Sequence, residues 1–267
     1  MIKLEYRLTN DILFRLLFTK YPDLLKRLIA ALLGITYDSI EQFLITNQDM
    51  PPEEMGKKFC RLDINMIVDG KHINLEVQVE NEGNYPERSL YYWAREFSNA
   101  LNEGQNYGLL PRTIVISILG FNQFTDPKKF HSEFQVLEVT SHEALTDKCA
   151  LHFYELPKLS EQISTDSTDN SKELWLRLFK AETEEDLAKI EALEVSVMSE
   201  AIRAYRHVAA SPEFRAIERV RSKARHDEAQ AIHNAELRER EKWQGVAAEN
   251  AELRAKLAEL QVQINKN

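Results

Sequence analysis

The sequence predicts an α/β or α+β domain followed by an all-helical C-terminal part, and three observations carry that prediction. Two apolar runs of period two, FCRLDINMIV and HINLEVQVE, flank Asp69-Gly70, the strongest short signal for a two-residue hairpin. Helical patterns stand before and after this hairpin, and three more strand-like runs follow them. From Leu174 onward the strand pattern stops, leaving one proline (Pro212), one glycine (Gly245) and continuous helical composition.

Taken in order, Thr9 or Asn10 can cap a first helix carrying Ile12, Leu13, Leu16 and Leu17, which Pro22 ends or restarts. The run LLKRLIAALL repeats apolar residues at helical spacing and stops at Gly34, a left-handed cap. After the hairpin, Pro86 suits the first position of a helix running through ERSLYYWAREFSNALNE to Gly104. RTIVISIL, SEFQVLEV and ALHFYEL read as the further strands, and the Ser/Thr/Asp/Asn-rich LSEQISTDSTDNSKE as a linker. In the last segment Val246, Asn250, Leu253, Leu257, Leu260 and Ile264 recur at spacings of four and three, a coiled-coil seam with Asn250 at an a position and Glu249 at g facing a partner's Arg254 at e. A short parallel dimer and an amphipathic helix packed on its own domain both fit this pattern.

Composition narrows the function. Lys and Arg number 34 against 43 Asp and Glu, a net charge of −9, so the chain does not coat nucleic acid by bulk charge and any such contact is local. Cys60 and Cys149 offer no CxxC pair, which points to a reducing, cytoplasmic setting. The start is broken by Glu5, Arg7, Asn10 and Asp11, and no stretch reaches about 18 uncharged apolar residues, so neither secretion nor membrane association is expected. The seven histidines show no HxxxH or HExxH spacing, and GxSxG, GxxxxGK[ST] and GxGxxG are absent.

The hairpin is the chemical focus. A two-residue turn at Asp69-Gly70 pairs Val68 with Lys71, Met66 with Ile73, Ile64 with Leu75 and Leu62 with Val77, an apolar face that supports the register. On the other face Asp63 stands opposite Glu76, Asn65 opposite Asn74 and Arg61 opposite Gln78. Opposed Cβ atoms lie about 4.5–5.5 Å apart, so two carboxylates there repel unless a cation lies between them, and Mg²⁺ suits such oxygens. The alternative is an ordinary half-exposed hairpin with a polar outer face.

Lys58-x4-Asp63, Gly70 and Glu76-x-Gln78 together resemble the PD-(D/E)XK nuclease superfamily and, more narrowly, the Rpn family of recombination-promoting nucleases, also called transposases. The likeness extends to NDILFRLLF, Arg88 with Tyr91-Tyr92-Trp93, Gly104-x-x-Tyr107, LHFYELPKL, LWLRLFKAETEEDL and SPEFRAIERVRSKARHDEA, and so to about residue 230.

The resemblance implies a restriction-endonuclease-like αβββαβ core, here over 1–160; composition and heptad spacing place a linker over 161–171, a helical region over 172–243 and a coiled coil over 244–267. It implies an endonuclease that hydrolyses double-stranded DNA with Mg²⁺, or with Mn²⁺ or Ca²⁺, held by Asp63, Glu76 and the Val77 carbonyl. Gln78 occupies the position where the superfamily has Lys, as is usual in the Rpn branch. An amide can orient water but brings no positive charge, leaving Arg61, Lys58 or Arg88 to supply it. Asp11 matches an acidic family position, with a helix-dipole carboxylate as its other reading. The resemblance also implies roles in recombination or phage defence, and a shorter C-terminal regulatory product for which Met198 is a candidate start.

Between Arg203 and Arg225 seven basic residues stand against Glu213 and Glu218. Arg215, Arg219 and Arg221 there are candidates for DNA contact, with a solvated helix face as the alternative. The competing functional class is a catalytically silent DNA-binding or oligomeric interaction protein on a nuclease scaffold. The expected assembly in either case is a homodimer.

Overall fold

The computed structural model describes residues 2–46, 64–160 and 170–264. Lys58, Arg61 and Asp63, with the first half of the run FCRLDINMIV, lie outside the described residues, as do 161–169 of the expected linker. Asn10 caps α1 (Asp11–Lys20), its side-chain oxygen accepting the Leu13 N–H at 3.0 Å, an arrangement worth about 1 kcal/mol. Pro22 opens α2 (Pro22–Leu33) rather than merely ending α1, because a first-turn position needs no N–H donor, and α2 closes at Gly34 with φ 68°. A three-residue strand, β1 (Phe43–Ile45), comes next and pairs with the hairpin.

The hairpin is β2 (Ile64–Val68) and β3 (Lys71–Gln78) in the expected register, with Val68 opposite Lys71, Met66 opposite Ile73 and Ile64 opposite Leu75. Asp69 and Gly70 take φ values of 47° and 75°, the left-handed pair that a primed two-residue turn requires. Asp69 also anchors the loop before β1 to this turn, because its Oδ1 accepts the N–H groups of Glu41 and Gln42 at 3.0 and 2.8 Å.

Helix α3 (Tyr85–Asn99) begins as expected around Pro86 but ends five residues before Gly104. There the Gln105 side chain accepts the Asn102 N–H at 2.8 Å and closes a turn in place of another helical turn. α3 leads into β4 (Thr113–Leu119), which lies parallel to β3 and to β6 (Cys149–Glu155). Every residue of β4 and β6 is buried, as central strands covered on both faces must be. β5 (His131–Phe134) pairs antiparallel with β6 at the sheet edge and stops short of the run SEFQVLEV. Beyond Phe134 the chain turns on itself, the Glu138 carboxylate accepting the Thr140 and Ser141 N–H groups, and Val136 and Leu137 are exposed. The strand order β1-β2-β3-β4-β6-β5, with α2 before the meander and α3 between β3 and β4, contains the αβββαβ core.

Helices α4 (Asn170–Lys180), α5 (Glu184–Glu191), α6 (Ser196–Ala210) and α7 (Pro212–Ile264) make the C-terminal part all helical among the described residues. α4 packs on α2 and α6 on α1. Phe14, Phe18, Trp175 and Phe179 form one aromatic cluster whose neighbouring centroids lie 5.4–6.2 Å apart. This core joins one face of the sheet through Ile64, Met66, Ile73, Leu75, Ile116 and Tyr154. On the opposite face Tyr85 and Trp93 of α3 pack with Val115, Leu119, Leu151 and Phe153. Met1–Ile217 form one compact unit and Glu218–Asn267 a second. Along α7, Trp243, Val246, Leu253 and Leu257 are exposed.

The string LHFYELPKL closes β6 with a buried ion pair. Glu155, fully buried, accepts the N–H groups of Gln123 and Phe124 at 2.6 and 3.1 Å and pairs with Lys158 at 2.7 Å. Lys158 also donates to the Phe124 carbonyl at 2.7 Å, so the loop after β4 is clamped to the end of β6. No helix among the described residues is long and apolar enough to cross a membrane.

Candidate active site

Strand alternation sends Ile73, Leu75 and Val77 toward the main core and His72, Asn74, Glu76 and Gln78 toward the face that α3 covers. Asn74 donates to the Asn65 Oδ1 at 2.6 Å across the hairpin, the opposition the register predicts. Two residues further along, at the carboxyl end of β3, come Glu76 and Gln78, which pair with Ser117 and Leu119 of β4. The connection from β3 folds back through a tight turn, where the Asn81 side chain accepts the Gly83 N–H at 2.9 Å, and then enters α3. The first turn of α3 is thereby held over the end of β3.

Arg88 is the residue this geometry delivers. Its Nη2 donates to the Glu76 Oε1 at 3.1 Å and to the Gln78 Oε1 at 2.5 Å, while its Nη1 donates to the Glu82 Oε2 at 3.0 Å. Side-chain exposure is 13% for Glu76 and 22% for Arg88 but 58% for Glu82, so the inner pair is largely withdrawn from water and the outer carboxylate is not. The Gln78 amide is fixed at both ends, since its Nε2 donates to the Glu80 carbonyl at 3.0 Å. Beneath the guanidinium lie the rings of Tyr85 and Tyr92, with centroids 4.8 and 5.9 Å from it. Cation–π attraction and two aromatic walls restrict the rotamers that this long side chain can adopt.

Tyr85 is 1% exposed and donates to the Ser117 Oγ at 3.0 Å. Burial, and then the negative charge of Glu76 beside it, push its phenol well above its ordinary range, so it stays a neutral hydrogen-bond donor at every working pH. Sequence reasoning missed Tyr85 and Glu82. The spacing of three and four between Tyr85, Arg88 and Tyr92 was the usable signal for the former, because it puts all three on one helical face.

The remaining candidates are distributed. Val77 is half-buried against the main core opposite Ile118. Asp11 stands in the first turn of α1, its Oδ1 accepting the Ile12 N–H at 3.0 Å. Arg215 and Arg219 are exposed on α7 and Arg221 is half-buried. Arg206, one of the seven basic residues counted in that stretch, pairs with Glu184 and Glu191 at 3.0 Å each, so its charge is offset locally. Lys58, Arg61 and Asp63 lie outside the described residues.

Among the described residues no group of three or more His, Cys, Asp or Glu is placed to hold a metal ion. The donors that are described at the end of β3, a largely buried carboxylate and an amide oxygen, are hard oxygens of the kind Mg²⁺ takes, and in this structure each accepts from Arg88, which a cation on the same oxygens would have to replace. The chemistry of this donor set fits a divalent cation.

Among the described residues the six-stranded mixed sheet with its αβββαβ core, followed by a helical region, fits a nuclease-type α/β fold. The chain matches the family model for PD-(D/E)XK nuclease family transposase over residues 8–235, and it belongs to that family. Comparison with curated proteins and with solved structures returned no match.

Proposed function

We propose that this chain is a divalent-metal-dependent endonuclease that hydrolyses phosphodiester bonds in double-stranded DNA, acting through Glu76, Gln78 and Arg88. Family membership supports the reaction class. The observation that carries the reading is the Arg88 guanidinium lying on both Glu76 and Gln78. A Lys at position 78 would set an ammonium against this guanidinium, whereas the Gln78 oxygen accepts from it. Gln78 and Arg88 together therefore replace the superfamily's Lys, with the amide positioning the charge and the guanidinium providing it.

Glu76, the Val77 carbonyl and Asp63 would hold the cation, Mg²⁺ or in its place Mn²⁺ or Ca²⁺; when bound, it acidifies water and neutralises phosphate charge. The Arg88 Nη1 and Nη2 donate here to Glu82, Glu76 and Gln78. Once released from the carboxylates, Arg88 would offer two parallel N–H donors to a phosphate oxygen pair, the geometry in which guanidinium surpasses ammonium. Tyr85 and Tyr92 hold that donor plane in place, and the neutral Tyr85 hydroxyl adds no competing charge. The exposed apolar positions Trp243, Val246, Leu253 and Leu257 support a parallel homodimer through α7, with two sites for the two strands of a duplex. A regulatory product begun at Met198 is part of the same reading, and it should vanish in a Met198→Leu variant.

Nicking of supercoiled plasmid in Mg²⁺ or EDTA tests the proposal, with Asp63→Ala and Glu76→Ala proteins shown to be folded by circular dichroism. Loss of nicking in both variants and in EDTA is expected. Equal nicking by all three proteins, or none by any, would overturn it.

A further inference from the structure

We infer that Arg88 is a resident counter-cation of Glu76 and that a divalent cation binds by displacing it, Arg88 swinging from Glu76 toward Glu82 and the phosphate. This rests on the proposed metal role of Glu76 and adds a residue that opposes metal binding while serving catalysis. Three observations carry it. The guanidinium Nη2 lies 3.1 Å from Glu76 Oε1, inside the space that a cation on the same oxygen would claim. Both partners are mostly buried, where like charges are poorly screened, so Arg88 and a divalent cation cannot share that oxygen without strong repulsion. A second perch exists already, because Nη1 holds Glu82 at 3.0 Å on the outer, solvent-exposed side.

The tyrosine rings restrain the Arg88 stem, so the move from Glu76 to Glu82 is a short displacement of the guanidinium against the same two rings. Tyr85 and Tyr92 lie 4.8 and 5.9 Å from it, and cation–π attraction is broad in angle compared with a bidentate hydrogen bond. In the absence of a divalent cation Arg88 contributes positive charge and a hydrogen bond to this largely buried carboxylate. When the cation neutralises Glu76 instead, the guanidinium becomes free to bind phosphate. Arg88 then links metal arrival to readiness for substrate, and Glu82 sets how easily it leaves.

The test measures Mn²⁺ affinity by electron paramagnetic resonance on the full chain, without DNA, for wild type, Arg88→Met, Glu82→Gln, Glu87→Gln and Glu76→Gln. Arg88→Met keeps an unbranched stem against the two rings, and Arg88→Lys provides a second variant should Arg88→Met lose structure. Arg88→Met should bind Mn²⁺ tighter by about ten-fold or more, equivalent to about 1.4 kcal/mol, although it cleaves DNA more slowly. Glu82→Gln should bind Mn²⁺ more weakly than Glu87→Gln, an exposed acid on the same helix that controls for bulk charge. Unchanged or weaker Mn²⁺ binding by folded Arg88→Met, with binding still lost in Glu76→Gln, would overturn the displacement and leave the metal site standing. Equal binding by wild type and Glu76→Gln would remove the metal site itself, and the displacement with it.

Discussion

Replacing Lys158 by Met leaves Glu155 as a fully buried carboxylate without its cation. The Lys158 Nζ lies 2.7 Å from Glu155 and 2.7 Å from the Phe124 carbonyl, and the two side chains are 3% and 0% exposed. Removing one member of such a pair costs about 3–5 kcal/mol, chiefly because the other charge stays buried. Glu155 keeps the N–H groups of Gln123 and Phe124, which stabilise the charged form, so the expected loss falls in the lower half of that range, about 3–4 kcal/mol. Against a domain stability of about 5–15 kcal/mol this is a large fraction. The double variant Glu155→Gln with Lys158→Met removes both charges, while its amide oxygen still accepts from the two N–H groups. Its expected loss is about 1–2 kcal/mol, smaller than that of Lys158→Met alone. Urea unfolding of the two variants and of Glu155→Gln closes the cycle. A loss below about 1 kcal/mol for Lys158→Met, or a double variant as unstable as the sum of its singles, would refute the reasoning.

Three other outcomes follow from the same geometry. His131 is stacked on Tyr154 at 4.3 Å beside His152, and burial, then the charge of His152, lower its pKa to about 4. Because the unfolded imidazole titrates near 6.5, its stability contribution is full above that pH and is lost as pH falls from about 6.5 toward 4; His131→Phe should show a shallower decline of urea midpoint over that window, and identical slopes would be contrary. Replacing Arg215, Arg219 and Arg221 by Ala should reduce the slope of log affinity for DNA against log salt by about 2–3 if all three contact phosphates, whereas an unchanged slope excludes this face. Truncation before Val246 should convert a dimer to a monomer in analytical ultracentrifugation, and a dimer that persists would place the interface elsewhere.

The hairpin was legible because two constraints agreed. Asp69-Gly70 fixed the turn, and the alternation of Ile64, Met66 and Val68 with Ile73 and Leu75 admitted one register, since a one-residue slip would turn every apolar side chain outward. The ends of elements were less legible wherever a polar side chain claimed a backbone group. Gln105 takes the Asn102 N–H and shortens α3, and Glu138 takes the Thr140 and Ser141 N–H groups where SEFQVLEV reads as continuous strand. β1 has three residues and is held by pairing with β2, a contact that local pattern does not contain.

At the candidate site, Glu76 and Gln78 could be read from strand alternation and from resemblance, while Arg88 was one of three cations that sequence could not separate. Its position depends on α3 crossing from β3 to the parallel strand β4, and only the tertiary fold turns a residue ten positions after Gln78 back onto it. Tyr85 carries two signals at once, a burial pattern and a helix start, and the second obscured its place under Arg88.

Single-turnover cleavage by Arg88→Met, Gln78→Lys and the variant carrying both changes, at saturating Mg²⁺, asks whether Arg88 supplies the charge of the absent lysine. Arg88→Met should slow cleavage by about 10²–10³-fold, the usual cost of losing a preorganised charge at the transition state. Gln78→Lys alone should also be slow, because its ammonium meets the guanidinium, and the double variant should recover at least about ten-fold over Arg88→Met. Wild-type cleavage by folded Arg88→Met would contradict the assignment.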